Sequence, residues 1–500
     1  MGKGNGKQEA QSKRSDPPGE RGDPDRQKTQ DDKAEPAERA GRAAQLVVIG
    51  GGPAGYLAMF RAAELGLDVT LVDPEENPGG VCLYRGCIPS KALLHAARVI
   101  REAEDSKLLG LKFRPPEIDV DRLRAWKDEV VGKLTGGLGQ KARKLKIRHL
   151  RGRARFVDAR TLAVELVNGG GTERVPFEQA IVATGSEPVA LPGVPASDRV
   201  MDSTGALDLP EVPKSLLVIG GGYIGLELGS VYAALGSKVS VVEMTAGLLP
   251  GVDRDLVSVL KRRLDHQFER ILLNTKVASL KAQKSGVKVM LENAGGETDS
   301  QRFDRVLVSI GRRPLSRDLG LENTRIEVDE RGFVKVDGQR RTAERHIFAI
   351  GDVAGEPMLA HKGYAEALVA AEAAAGRKSI YEPRGVPAVV YTDPEIAWVG
   401  LSETDARAEQ RKVKTAKLPW RGNGRTLTLG RDDGMTKILI DPGSRRVLGI
   451  GLVGPGAGEL VAEGALALEM AAVAEDLRRT IHPHPSLSET IFDAAEQIVE

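Results

Sequence analysis

The sequence predicts an α/β fold: two related, doubly wound βαβ units followed by a C-terminal α+β domain. Three observations predict it. A β-branched apolar run, LVVIG (46–50), leads into closely spaced glycines and a helical stretch, as in strands buried on both faces of a parallel sheet. The pattern then repeats at a constant offset: Gly50, Gly52, Gly55, Gly66 and Asp73 map onto Gly220, Gly222, Gly225, Gly236 and Glu243 by adding 170. After about residue 385 the character changes. VPAVVYTDPEIAWVG and TKILIDPGSRRVLGIGLVG read as antiparallel strands, and the helical GELVAEGALALEMAA follows. Two copies of a unit indicate two related domains rather than a solenoid. A chain of 500 residues agrees with about three domains at roughly 150 residues each.

Residues 1–43 come first. Positions 1–42 carry ten Lys/Arg and nine Asp/Glu, and after Met1 no Val, Ile, Leu or aromatic residue. Such a segment cannot bury enough apolar surface to offset its ordering entropy, so a disordered charged tail is expected. It is too acidic for a mitochondrial transit peptide. Order begins at Leu46. The helical stretch after the glycines runs to Gly66, which suits a helix C′ position, and VTLVD (69–73) is a second strand ending in an acid. The second copy reads GGYIGLELGSVYAALG and then KVSVVE (238–243). AIVATGS (180–186) closes the first unit, VLVSIGRRP (306–314) the second, and HIFAIGD (346–352) is a further strand of this kind. The expected boundaries are 44–187 and 312–384 for the first unit, 188–311 for the second, and 385–500 for the C-terminal domain.

Composition excludes several classes of function. The 72 basic and 70 acidic residues leave a net charge of +2, against a broad cationic face for nucleic acid. Aromatics are only 4% of the chain, against base-stacking platforms. The uncharged stretch from Ala43 to Phe60 is near membrane-spanning length, but Gly50, Gly51, Gly52 and Pro53 break it. With no signal peptide in view, a cytoplasmic protein without a membrane partner is expected. Two cysteines rule out a disulfide scaffold and any four-cysteine metal site.

Gly-x-Gly-x-x-Gly after a strand has a mechanism. Gly50 and Gly220 allow the tight turn, Gly52 and Gly222 let a pyrophosphate approach, and Gly55 and Gly225 let helix pack on strand. The helix N-terminus offers free N–H groups to the phosphates. Asp73 or Glu243 then accepts hydrogen bonds from an adenosine ribose. Strand, glycines, helix and acid occur in order, twice, which predicts two Rossmann-like dinucleotide-binding domains. A carboxylate at Glu243 suits a free 2′-hydroxyl and repels a 2′-phosphate. The first base after it is Arg254, so NAD is expected over NADP.

Cys82 and Cys87 lie in GGVCLYRGCIPSK (79–91), just beyond the first unit. Their spacing fits one turn of helix and lets the sulfurs meet. So short a loop restricts the unfolded chain little, which argues against a structural staple. A reversible disulfide beside the first cofactor is one reading; two unpaired thiols or a metal half-site are the others. No nearby His or second Cys pair completes zinc ligation, and no metal is expected. Near the C-terminus, IHPHPSLSET (481–490) places Glu489 five residues after His484. A surface turn is the plain reading; a general base with its carboxylate orienter is the functional one, since thiol chemistry needs a proton acceptor.

Together these residues resemble the two-dinucleotide disulfide flavoprotein reductases, most of all their dihydrolipoamide dehydrogenase branch. The likeness covers roughly 46–500 through GGGPAGY, GVCLYRGCIPSK, ATGS, GGGYIGLELG, GRRP, FAIGDVAGEPMLAHKG, YTDPEIAWVG and HPHPSLSE. The resemblance implies FAD in the first unit, around Gly50, Gly52, Gly55, Asp73, Gly80, Cys82, Lys91, Ala154, Thr184, Gly185, Ser186, Asp352, Met358, Leu359, Ala360 and His361. It implies NAD in the second, around Gly220, Gly222, Gly225, Glu227, Glu243, Val277 and Gly311. It implies that Cys82 exchanges with substrate, that Cys87 contacts the flavin, and that Lys91 and Glu227 pair beside it. His484 with Glu489 is implied as the acid–base pair, supplied by the neighbouring subunit of a homodimer through a C-terminal dimerisation domain.

The implied reaction is the oxidation of dihydrolipoamide, carried on the lipoyl domains of a 2-oxo acid dehydrogenase complex or on a glycine cleavage carrier. A substrate thiol gives its proton to His484, attacks Cys82 and releases Cys87; the second thiol displaces Cys82; electrons pass through FAD to NAD. Two features depart from the family. Tyr84 and Arg85 stand between the cysteines where Asn-Val is usual, with Arg85 expected to affect thiolate stability through its charge, and Ser486 stands where Thr is common. The rivals are another NAD(P)H-disulfide flavoprotein reductase and a redox-inert FAD/NAD-binding scaffold. Glutathione-type reductases want Arg after Glu243, and intact Cys82, Cys87 and His484 count against the scaffold.

Overall fold

The computed structural model describes residues 44–194 and 197–499; the charged tail expected over 1–43 lies outside them. The first parallel sheet is built on Ala44–Ile49, flanked by Val69–Val72 on one side and Thr172–Val182 on the other. Arg148–Leu150 and Ile347–Ala349 extend it at the two sides. Both faces of the central strand are buried. Leu46 and Val48 pack with Ala58, Met59, Ala367 and Ala371 of two helices, Pro53–Glu64 and Ala360–Ala374. Val47 and Ile49 pack the other way, on Leu162 and Val164 of an antiparallel meander. Each such fully buried aliphatic side chain contributes about 1.5–3 kcal/mol.

The second unit reproduces the first in register. Leu46 pairs with Val69, and Leu216 with Val239. Its parallel sheet runs, from edge to edge, Arg270–Leu272, Lys238–Val242, Ser215–Ile219, Arg305–Val308 and Val200–Met201. A three-stranded antiparallel meander over 275–303 covers one face. The C-terminal sheet is wholly antiparallel, and Ala457–Glu469 and Glu489–Val499 pack on it.

Two closing strands differ from the sequence reading. The strand expected at 180–186 begins at Thr172 and ends at Val182, because its first half pairs with the meander. The strand expected at 306–314 breaks after Val308. Gly311, at φ +134°, then turns the chain so that Arg312–Pro314 pairs antiparallel with Ser186–Pro188. That short ladder links the two units. Among the described residues no helix is long and apolar enough to cross a membrane.

Candidate functional site

The two glycine turns are built alike. Gly50 and Gly220 sit at φ +102° and +106°, and each N–H donates at 2.9 Å to the end of the next strand, Val72 or Val242. A Cβ at Gly55 would stand 1.8 Å from the Gly50 carbonyl oxygen, and one at Gly225 2.4 Å from that of Gly220, so a side chain at either position would push helix from strand. Gly52 and Gly222 face open space: a Cβ on Gly52 would meet its nearest atom at 3.9 Å, and one on Gly222 nothing within 4 Å. Both helix N-termini therefore have room for a pyrophosphate.

The acids sit as the pattern requires. Asp73 Oδ2 accepts from Gly51 N at 2.6 Å, and Glu243 Oε2 accepts from Gly221 N at 2.7 Å. Glu243 Oε1 takes a second backbone bond, from Thr245 N at 2.8 Å. Arg254 turns away: its guanidinium donates to the carbonyls of Leu248 (2.7 Å), Leu249 (2.6 Å) and Val252 (2.9 Å). Val277 lies on Thr275–Gln283 and packs with the apolar residues of the second unit.

One helical turn does not carry both cysteines. Cys82 lies on Gly80–Arg85 and Cys87 opens Cys87–Asp105. Gly86 breaks the helix between them, at φ −147° and ψ −114°, and a Cβ there would come within 2.9 Å of the Val81 carbonyl oxygen. The sulfurs still meet. Cys82 is half-buried and Cys87 exposed. Hydrogen bonding with Cys82, aided by the Lys91 charge and opposed by burial, lowers Cys87 to about 7, while the same contact and burial push Cys82 up. The site thus favours negative charge on Cys87 over Cys82. Arg85 does not act on them: it pairs with Glu75, and Tyr84 Oη donates to Asn77 O at 3.0 Å.

Lys91, one turn after Cys87, pairs with Glu227 from the helix Tyr223–Ala234 of the second unit. Glu227 is almost wholly buried, and Oε2 accepts from Lys91 Nζ at 2.8 Å and Ser90 Oγ at 3.2 Å. Its Oε1 accepts from Tyr391 N at 2.9 Å, in the C-terminal domain. Lys91 also lies over the Tyr391 ring at 4.5 Å. Burial draws the Lys91 ammonium down, but the Glu227 carboxylate outweighs it and the net shift is upward.

On the other side of the first unit, Asp352 Oδ2 accepts from Ser186 Oγ at 2.5 Å, and Arg312 Nε donates to that same hydroxyl at 2.8 Å. Thr184 Oγ1 donates to Leu315 O at 2.6 Å, and Gly185 takes a positive φ of 76°. Met358, Leu359, Ala360 and His361 form the entry to the helix Ala360–Ala374, where His361 Nε2 lies 2.6 Å from Pro387 O. Ala154 is buried in the meander. Gly80, at φ +57°, packs against Gly52, with only 2.4 Å between the Cα of Gly52 and a Cβ placed on Gly80. Sequence reasoning missed the buried support beneath Asp352. Glu366 Oε2 accepts from Gly351 N at 2.7 Å and from Lys362 Nζ at 3.0 Å, and Arg340 reaches Oε1 at 2.8 Å. The spacing of Lys362 and Glu366 on one helix face was the available signal.

His484 pairs with Glu489. Its Nδ1 lies 2.8 Å from Glu489 Oε1, and Ser486 N donates to Glu489 Oε2 at 2.6 Å. Those bonds hold the Glu489 carboxyl below its usual range. The His484 side chain is 79% exposed, and among the described residues no hydrogen bond joins it to Cys82 or Cys87. The second imidazole, His482, bonds Glu463 Oε1 at 2.8 Å instead.

Residues 44–367 match the family model described as pyridine nucleotide-disulphide oxidoreductase, and residues 386–495 match that family's dimerisation domain. The chain is 47% identical to the dihydrolipoyl dehydrogenase of Vibrio cholerae, over 91% of this chain and 95% of that one. It is likewise 47% identical to the dihydrolipoyl dehydrogenase of Thermus scotoductus, over 91% and 97%. Among solved structures it is similar to LpdA from Mycobacterium tuberculosis (TM-score 0.83, 29% identity, 91% and 99% covered). It is also similar to the HOCl-induced flavoprotein disulfide reductase RclA from Escherichia coli (TM-score 0.80, 29% identity, 91% and 100% covered).

Proposed function

The chain belongs to the pyridine nucleotide-disulphide oxidoreductase family, and from that premise we propose that it is an FAD-containing dihydrolipoamide dehydrogenase using NAD. The observation that carries this is the cysteine pair, Cys82 and Cys87, held beside the first glycine turn by the packing of Gly80 on Gly52, with the Lys91–Glu227 ion pair one turn beyond it. FAD, when bound, supplies the two-electron chemistry that links the dithiol to NAD. Gly52, Asp73, Ser186 and Asp352 would hold it; Gly222 and Glu243 would hold NAD.

The chain's own groups divide the remaining work. In the oxidised protein, a substrate thiolate attacks Cys82, the Cys82–Cys87 bond breaks, and Cys87 takes the electron pair. Cys87 suits that position because its thiolate is the stabilised one. The second substrate sulfur then attacks the first and Cys82 leaves. His484, oriented by Glu489, takes the substrate proton. His484 is exposed and unconnected to its own cysteines, which supports a homodimer in which each site borrows the imidazole of the other subunit. The substrate is read as dihydrolipoamide on the lipoyl domain of a separate carrier protein.

The test is turnover of free dihydrolipoamide with NAD by the purified yellow protein, beside glutathione as an alternative thiol. Cys87→Ser should abolish dihydrolipoamide turnover while NADH still reduces an artificial dye, which needs no cysteine. A wild-type protein that carries FAD, reduces the dye and ignores dihydrolipoamide would remove this reading.

A further inference from the structure

Gly351 is gripped on both sides by one pair of side chains. Its N–H donates to Glu366 Oε2 at 2.7 Å, and its carbonyl accepts from Lys362 Nζ at 3.0 Å. Lys362 and Glu366 stand one turn apart on Ala360–Ala374 and pair with each other at 3.0 Å. Each side chain is only 2% exposed. Arg340 Nη1 reaches the remaining oxygen, Glu366 Oε1, at 2.8 Å, and its guanidinium lies 4.9 Å from the centre of the Tyr381 ring. Burying an ion pair is costly, and a packed apolar pair often serves stability as well. A buried pair closed on one peptide unit points instead to placement.

The peptide it holds aims Asp352. Gly351 takes a φ of +75°, where glycine is favoured, and next to it Asp352 Oδ2 accepts from Ser186 Oγ at 2.5 Å. Among the described residues no hydrogen bond reaches the other oxygen, Oδ1, which leaves it for a ligand hydroxyl. A Cβ on Gly351 would stand 3.0 Å from Ala54 Cβ, and so would one on Gly363, which lies between Lys362 and Glu366 in sequence. Ala54 belongs to Pro53–Glu64, the helix whose start has room for a pyrophosphate. The pair thus seats the Asp352 turn against that helix.

This inference rests on the placement of FAD against Asp352 made above. We propose that Lys362 and Glu366 are positioning residues for FAD: acting as one unit, they fix the Gly351 peptide and so the direction of the Asp352 carboxylate, and through it they set how long the cofactor stays bound. Neither side chain touches the cofactor on this account. Both act through Asp352.

The experiment compares Lys362→Met, Glu366→Gln, Asp352→Asn and the double variants Lys362→Met/Asp352→Asn and Glu366→Gln/Asp352→Asn as purified full-length protein. The first readout is the rate of FAD release into an excess of a scavenging apoflavoprotein. The second is amide exchange of residues 349–353 by mass spectrometry, with Ser215–Ile219 of the second unit as reference. Lys362→Met should release FAD about tenfold faster, the worth of one hydrogen bond from a charged group. Each double variant should release it no faster than Asp352→Asn alone, because the pair has no other route to the cofactor. Exchange should quicken at 349–353 and stay unchanged at 215–219. Glu366→Gln is nearly the same size as the original residue, so it carries the same comparison if Lys362→Met does not fold. Release at the wild-type rate in the single variants would overturn the proposal. So would losses that multiply in the double variants, or exchange that quickens equally in both segments, the mark of a general loss of stability. A wild-type protein without FAD would remove the cofactor's placement, whereas FAD-loaded variants with wild-type release remove the positioning role alone.

Discussion

Glu227 grips Lys91 across the two dinucleotide-binding units, with Oε2 2.8 Å from Nζ, while its other oxygen takes the Tyr391 N–H of the C-terminal domain. One buried carboxylate thus ties three parts of the chain at the point where the cysteines sit. Lys91 in turn lowers Cys87, the group the site keeps near 7. Lys91→Met should therefore raise the pH at which Cys87 becomes a thiolate by about one pH unit or more, since a cation that favours the charged form is lost and Glu227 remains. The pH profile of Cys87 alkylation in the reduced protein measures this. An unmoved or lowered profile would contradict the role given to Lys91.

Glu243 should set the nicotinamide preference. Its carboxylate faces the ribose position with only backbone donors on it, and Arg254 is committed to three carbonyls. A 2′-phosphate would meet an unbalanced negative charge, so kcat/KM should favour NAD by about a hundredfold or more, a few kcal/mol. Glu243→Gln keeps an acceptor for Gly221 and removes the charge. It should narrow that ratio, mainly through KM for NADP. Specificity constants for both cofactors with both proteins provide the check, and equal constants in the wild type would defeat the argument.

Complementation tests the shared site. His484→Gln and Cys87→Ser homodimers should each be inactive with dihydrolipoamide. In a mixed dimer, one site joins the intact cysteines of one chain to the intact His484 of the other. Random exchange makes half the dimers mixed, each with one working site of two, so activity should return to about a quarter of wild type. Background activity after demonstrated subunit exchange would mean that His484 serves its own chain or none.

A buried cation clamps the second unit to the C-terminal domain. Lys437 is fully buried, and Nζ lies 2.8 Å from Asp253, 2.6 Å from Asp255 and 2.8 Å from Glu403, with Lys417 closing the group. Burial pushes these carboxyls up, but Lys437 and Lys417 more than offset it, and each lies below its ordinary 3.8 or 4.5. Carboxyls depressed on folding stabilise fully above those ordinary values, and the contribution is lost as pH falls through the folded ones. Lys437→Met should cost about 3 kcal/mol at pH 7, because the buried Asp253 loses its cation while the half-buried Asp255 and Glu403 keep only Lys417. Melting temperatures at pH 7 and near pH 3.5 give the comparison. The wild type's advantage should begin to shrink at the lower pH and go on shrinking below it, and a variant as stable as wild type at pH 7 would refute the clamp.

Much of the fold was legible because its signals are local. A glycine at positive φ, an apolar strand buried on both faces and an acid at the end of the next strand are read from neighbours in sequence, and they gave the 170-residue repeat that Leu46–Val69 and Leu216–Val239 then reproduce in register. The cysteine pair was legible for the same reason, although Gly86 breaks the helical turn expected to carry it. What the sequence by itself determined was which residues could do thiol and dinucleotide chemistry. Only the tertiary structure decided the pairings. Charge is favoured on Cys87 over Cys82, Arg85 pairs with Glu75, Glu366 braces the Asp352 loop, and Lys437 holds three acids from two domains. Each depends on which side chains meet and on how far water is excluded around them, and the acids on Lys437 lie 34, 182 and 184 residues from it. Charge energies are fixed by distance and solvent exclusion, and neither is written in the order of residues.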